Sequence, residues 1–267
     1  MDPVIVSFWH FSIRWYSVMI ITGIVAGTLV GLREARRRGI SDDDVYSFLT
    51  WAIIAGIIGA RLFHVVDKLD YYLRNPMAIL AFQQGGLAIY GAVVGGIIAG
   101  VGYAKYRGIS VGKLADATAP ALILGQAIGR VGCMINGDVY GKPADLPWAV
   151  AYTHPHSMAP QFGVPAHPAA AYEMLWDLLV FGILWKLRMK NLTDGTLMLL
   201  YFSLYSIGRF FITFFREDTM VAFGLSQAQV IALAVFIVAT PAAVLVNRLQ
   251  HLDGLGQKEY GQTGVRS

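Results

Sequence analysis

The chain has 267 residues, 56% of them hydrophobic and only 14% charged, with a mean hydropathy of +0.54. A soluble domain carries about 25% charged residues, so this composition excludes a water-soluble globular protein and indicates a polytopic membrane protein. The single cysteine excludes an internal disulfide framework and any cysteine-based metal cluster, and the net charge of +4 sits mostly in short loops, where it speaks to membrane orientation and not to nucleic acid.

Met1–Ser12 contains Asp2 and no basic stretch, which makes it a poor cleavable signal peptide. The first membrane span is expected at about residues 13–32, followed by a loop with Arg33, Arg36, Arg37 and Arg38. The second is expected at 45–66. The apolar piece Met77–Phe82 is too short to cross a core of ~30 Å. Residues 86–103 form a glycine-rich third span suited to close helix packing, with Lys105, Arg107 and Lys113 after it. The fourth span, 114–135, leads into the longest polar connection, 136–168, rich in proline and histidine. Spans at 169–187, 196–215 and 225–246 follow, and then a polar tail that is expected to be loosely ordered. No internal repeat or linker marks a second domain, so residues 1–267 read as one polytopic domain.

The fold class expected is therefore an all-α integral membrane protein of seven transmembrane helices with a small extracytoplasmic loop region. Basic residues cluster after spans one, three and five and in the tail, whereas the opposite loops hold only Lys68, Arg74 and Lys142 apart from span edges. The positive-inside rule places the N-terminus outside and the C-terminus in the cytoplasm.

Three arginines lie inside these spans. Arg61 is 16 residues from Val45, Arg130 is 16 from Leu114, and Arg209 is 13 from Thr196. At ~1.5 Å per residue all three reach roughly 20–24 Å into a ~30 Å core, in its outer half. Tyr16 and Tyr90, near the starts of inward-running spans, fall near the same level. Any one arginine at such a depth is explained as well by snorkelling as by function. Three at one height, beside a turn rich in glycine, point to a site for an anionic group. A guanidinium matches phosphate oxygens with a planar fork of donors and keeps its charge. A phosphate at that depth belongs to a phospholipid head group.

The turn itself is Gly129–Gly141, GRVGCMINGDVYG, with four glycines around Arg130, Cys133, Asn136 and Asp138. This stretch strongly resembles the signature of the prolipoprotein diacylglyceryl transferases. Five further pieces resemble motifs of that family, in its order: Ile13–Ser17 (IRWYS), Gly59–Phe63 (GARLF), Gln84–Gly91 (QGGLAIYG), His167–Glu173 (HPAAAYE) and Gly208–Asp218 (GRFFITFFRED). Together they cover most of the chain.

The resemblance implies an enzyme of the bacterial inner membrane, multi-pass, with its active site toward the outer leaflet. Its reaction would move the diacylglyceryl group of phosphatidylglycerol to the lipobox cysteine thiol of a prolipoprotein and release glycerol phosphate. Phosphatidylglycerol, prolipoprotein signal peptides and membrane lipids are the partners implied, with no nucleic acid, no cofactor and no metal. Arg130 matches the family's lipid-binding arginine and Arg209 its second essential one. Tyr16 and Tyr90 join them as catalytic candidates. Asn136, Asp138, Gly141, Arg61 and Glu173 are the further substrate-binding candidates, Asp138 standing where the family usually has Glu. Tyr90 stands where the family often has a histidine proposed as general base, and a phenol is a poor base at neutral pH. Cys133 occupies a frequent asparagine position, and Thr213 a frequent glutamate position.

His154, His156 and His167 have no carboxylate at ligand spacing in the sequence, and read as surface histidines. The rival reading is an anion or lipid transporter with an outer-leaflet arginine site. Transporters of that kind are commonly built from repeated halves with broken helices at mid-depth, whereas here no repeat is visible and the charges lie toward one face.

Overall fold

The computed structural model describes residues 2–9, 11–81 and 85–263. Gln84, which opens one of the six motifs, and Phe82, the end of the short apolar piece, lie outside them. The described residues are mostly helical, with two small antiparallel hairpins and no barrel. By contact the chain divides into two compact units, Leu32–Ala117, and Met1–Gly31 with Thr118–Ser267. The division falls within α1 (Trp15–Arg37) and within α5 (Val111–Asn136).

In the unit Leu32–Ala117, the run SDDD starts α2 (Asp42–Asp67). The Ser41 hydroxyl accepts the Asp44 amide at 3.1 Å, and the three aspartates of the first turn complement the positive helix terminus. A short α3 (Leu69–Arg74) and a 3-10 turn, Pro76–Leu80, precede α4 (Ile89–Arg107). Asp44 ties α2 to α4 by accepting from the Tyr103 hydroxyl at 2.9 Å and from Arg107 Nε at 2.7 Å. The two helices approach so closely that a Cβ at Gly91 would clash with the Gly59 carbonyl oxygen, and one at Gly95 with that of Ala55. Small residues are what allow such contact in membranes. Gly91→Val is therefore expected to lower the thermal unfolding temperature of the purified protein, by about 3 kcal/mol or more in stability. Gly182, with open space where its Cβ would be, supplies the control, and Gly182→Ala is expected to leave the temperature unchanged or higher.

In the other unit, strands β1 (Val4–Phe8) and β2 (Phe11–Arg14) form a hairpin ahead of α1. Helices α5, α6 (Ala169–Leu187), α7 (Thr196–Ile212) and α8 (Gln227–Thr263) follow. Their core is Ala119 and Ile123 of α5, Val180 and Leu184 of α6, and Leu197 and Tyr201 of α7. Trp176 Nε1 donates to the Leu204 carbonyl at 3.0 Å and fixes α6 on α7. Strands β3 (Met220–Ala222) and β4 (Leu225–Ser226) turn the chain into α8. Ser226 and Gln229 cap that helix reciprocally, each backbone amide bonded to the other's side chain. The loop between α5 and α6 is pinned by bridges from Gly141 to Arg216 and from Ala166 to Pro143 and Val150.

Among the described residues, six helices are long and apolar enough to cross a membrane: Trp15–Arg37, Asp42–Asp67, Ile89–Arg107, Val111–Asn136, Thr196–Phe215 and Gln227–Arg248. Their apolar side chains point outward, with Ile98 67% and Val238 71% exposed. Such residues would be covered in a soluble protein. The fifth expected span, 169–187, coincides with α6, which is not among these six and carries Glu173, Asp177 and Lys186 within 19 residues. The tail also differs from expectation, since α8 continues past Val246 to Thr263. Arg, Leu, Gln, Lys and Glu there are good helix formers once the preceding apolar segment has nucleated the helix.

Candidate functional site

The site is built around one carboxylate. Glu173 lies one turn into α6, and its side chain is 5% exposed. Arg130 Nε of α5 approaches Glu173 Oε2 at 2.7 Å. Arg209 Nη1 of α7 and Arg216 Nη1, just beyond α7, both donate to Glu173 Oε1, the latter at 3.0 Å. Arg216 also pairs with Asp218 at 3.2 Å. Asp177 follows Glu173 by one helical turn and is 2% exposed, and its Oδ2 has no hydrogen-bond partner among the described residues.

Three guanidiniums thus share one carboxylate. At ~4 Å and an effective dielectric of ~20 each attractive pair is worth about 4 kcal/mol before desolvation, so Glu173 offsets the mutual repulsion of the arginines and fixes their spacing. It does not neutralise them. Arg130 and Arg209 each keep 20% of the side chain accessible, and among the described residues no protein acceptor is bonded to Nη2 of either. An incoming anion would find positively charged donors held in place before it arrives.

The signature positions each piece. Gly137 has φ +79° and its amide bonds the Cys133 carbonyl at 2.8 Å, so α5 stops there in the left-handed conformation that glycine tolerates. Buried Asn136 accepts from Arg14 Nη1 at 2.9 Å, and its carbonyl takes the Met158 amide at 2.9 Å. It therefore holds the N-terminal hairpin and the loop together. Gly141 lies against the His167 backbone so closely that a Cβ would clash with that carbonyl oxygen. On its other side the Lys142 amide bonds the Phe215 carbonyl at 2.8 Å, and Gly141 bridges to Arg216, beside the segment that carries this arginine to Glu173.

Tyr16 packs against the buried cluster of Cys133, Val139, Ala169 and Ala170. Asp138 is exposed at the edge of this group, yet enough protein surrounds its carboxyl for desolvation to push its pKa above the ordinary aspartate value. Its own amide, Cys133, Asn136 and Arg130 pull the other way. Tyr152, in the same loop, is pushed up to about 12 by burial.

Arg130, Arg209 and Glu173 are brought into one cluster, and Tyr16, Asn136, Asp138 and Gly141 belong to the same unit. Arg61 and Tyr90 belong to the unit Leu32–Ala117. There Arg61 is buried, and its guanidinium donates to five backbone carbonyls: Ala78, Ile79, Ala81, Gly85 and Gly86, at 2.5 to 3.3 Å. It ties the 3-10 turn, Ala81 and the Gly85–Gly86 pair to α2. Tyr90 opens α4, 37% exposed, its ring 6.1 Å from that of Phe63.

Arg216 and Asp177 are the residues that sequence reasoning missed. For Asp177 a signal existed, because residues four apart share a helix face. Arg216 stood inside the motif Gly208–Asp218, but its pairing with Glu173 was not legible, since that contact depends on how the chain leaves α7. Thr213, buried, bonds the Arg209 carbonyl at 2.5 Å, so the carboxylate partner of Arg209 is Glu173.

Cys133 is buried, and Arg130 Nη1 lies 3.9 Å from its sulfur. Sulfur is a weak acceptor. Cys133→Ala is accordingly expected to lower kcat/KM by less than about tenfold, measured as initial rates. A dead variant, with a covalent adduct of the substrate trapped on Cys133 in the parent protein, would establish a covalent route instead.

A family model described as prolipoprotein diacylglyceryl transferase matches residues 3–245. A phosphatidylglycerol–prolipoprotein diacylglyceryl transferase of Clostridioides difficile is 40% identical over 233 residues, which cover 87% of this chain and 90% of that protein. One of Dehalococcoides mccartyi is 40% identical over 250 residues, covering 93% and 95%. One of Bacillus cereus is 35% identical over 256 residues, covering 95% of each.

Proposed function

The chain belongs to the prolipoprotein diacylglyceryl transferase family, and from that premise we propose how its arginine cluster serves the transfer. The protein is a multi-pass membrane transferase of lipoprotein biosynthesis. It moves a diacylglyceryl group from phosphatidylglycerol to prolipoproteins. The acceptor is the thiol of a lipobox cysteine, and glycerol phosphate is the other product. Seven spans, with the N-terminus outside, set the cluster in the outer half of the inner membrane.

The observation that carries this reading is the sharing of Glu173 by Arg130, Arg209 and Arg216. Phosphatidylglycerol places its phosphodiester on Arg130 and Arg209. The thiol sulfur attacks the glycerol carbon bonded to the phosphate oxygen. A carbon–sulfur bond forms, the carbon–oxygen bond breaks, and its electron pair leaves on the phosphate. The thiol proton goes to an acceptor or to water. As the second negative charge grows on phosphate, donors already oriented bind it more strongly than the ground-state diester, which is the condition for catalysis. A thiol of pKa near ~8.5 is a few per cent thiolate at neutral pH, and the same positive field raises that share.

Glu173 holds the three arginines apart, and Gly141 and Asn136 hold the loop that carries Arg216 to them. Tyr16 bounds the cluster. Tyr90 orients lipid or donates a hydrogen bond, and Arg61 positions the segment beside it.

The test is purified protein with phosphatidylglycerol vesicles and a peptide bearing a lipobox cysteine. Expected is a diacylglyceryl thioether on that cysteine and one glycerol phosphate released per peptide modified. Anion uptake by sealed proteoliposomes, with no peptide modification, would favour transport instead.

A further inference from the structure

A second cluster of chemical groups lies away from the arginines, at the N-terminal hairpin. Asp2 precedes β1, and the loop after α5 carries His154-Pro155-His156. The fold brings Asp2 Oδ1 within 3.3 Å of His156 Nδ1 and 3.6 Å of His154 Nδ1. One ligand atom from each residue lies within 4.8 Å of the others. Tetrahedral zinc with bonds of ~2.0 Å has ligand–ligand edges of ~3.3 Å, so two edges are already near the required length. The histidine rings stand 5.1 Å apart, and the third edge, already within 4.8 Å, is the one left to shorten.

The backbone beneath these side chains is fixed. The Val4 amide donates to Asp2 Oδ1 at 2.9 Å, and the Trp15 amide donates to the Pro3 carbonyl at 3.0 Å. On the loop side, the Ser157 amide bonds the His154 carbonyl at 2.9 Å, and Arg14 Nη1 reaches the His156 carbonyl at 3.4 Å. The His156 amide now rests 3.3 Å from His154 Nδ1, a marginal bond that a metal ion would replace. All three side chains keep access to solvent, at 47% for Asp2, 34% for His154 and 56% for His156. That provides an entry path and leaves room for a water at a fourth position.

We propose that Asp2, His154 and His156 form a divalent-metal site of zinc type, with two imidazoles, one carboxylate and water. Its place in the fold gives it a task. It joins the hairpin to the loop beside Arg14 and Asn136, the pair already bonded at 2.9 Å, and so staples the outer edge of the unit. This inference stands apart from the transferase reading, since none of its three ligands belongs to the arginine cluster.

The experiment uses the full-length purified protein in detergent, with any affinity tag removed and metal stripped by a chelator. Zn²⁺ is titrated against a chromophoric competitor, and thermal unfolding is followed with and without the ion. Expected is one saturable equivalent that raises the unfolding temperature. His154→Ala, His156→Ala and Asp2→Asn should each weaken it by about tenfold or more, while His167→Ala keeps wild-type affinity. Unfolding temperatures without metal check that the variants fold. Absence of a saturable equivalent, or losses below tenfold in both histidine variants, would overturn the site.

Discussion

Arg130→Ala is expected to abolish diacylglyceryl transfer while the protein still inserts and can be purified. Arg130 offers the phosphate a guanidinium that Glu173 already orients through Nε at 2.7 Å. Loss of one such preorganised donor group costs about 10²–10³-fold in turnover in other enzymes, and here charge and fork are lost together. Arg130→Lys separates the two, because it keeps the charge and discards the planar fork. The lysine variant should recover part of the rate and bind lipid less selectively. Single-turnover transfer to a lipobox peptide, with the unfolding temperature measured on the same sample, gives both numbers. Near-normal turnover in Arg130→Ala would sink the assignment of the phosphate to this residue.

Glu173→Gln is expected to be the most destabilising single change in the cluster. It removes the one carboxylate shared by Arg130, Arg209 and Arg216 and leaves three partly buried cations facing each other. Breaking a buried ion pair by removing one partner costs about 3–5 kcal/mol. If the loss comes from repulsion, relieving the charge elsewhere restores stability. Adding Arg216→Gln to Glu173→Gln should therefore recover stability relative to the single variant, with a coupling of about 0.5–3 kcal/mol. Thermal unfolding of the two singles and the double closes the cycle. Additive losses would mean that the arginines do not repel across this gap, and that Glu173 acts by packing alone.

Much of this protein is written locally. The apolar runs determine the helices, because a backbone in hydrocarbon must satisfy its own hydrogen bonds. The segment 169–187 was legible even with Glu173, Asp177 and Lys186 inside it, since long polar connections bound it on one side and a charged turn on the other. The glycines of GRVGCMINGDVYG mark where α5 ends, and Arg130 and Arg209 were legible as charges that a membrane does not tolerate without a partner.

What the sequence left open was which partner. Three intramembrane arginines looked equivalent along the chain, and only the tertiary structure separated them. Arg130 and Arg209 meet on Glu173, 36 residues from Arg209 in the chain, whereas Arg61 is taken up by the carbonyl oxygens of Ala78, Ile79, Ala81, Gly85 and Gly86. Every residue carries a carbonyl, so no side chain announces that a loop will fold back to meet a guanidinium. Arg216 reaches Glu173 because the chain leaving α7 bridges back to Gly141 of the loop after α5, and Asp2 meets His156 across 154 positions. Hydrophobic runs are decided by neighbours along the chain. Ion pairs form between side chains that only the finished packing brings within ~4 Å, where their attraction outweighs the cost of leaving water.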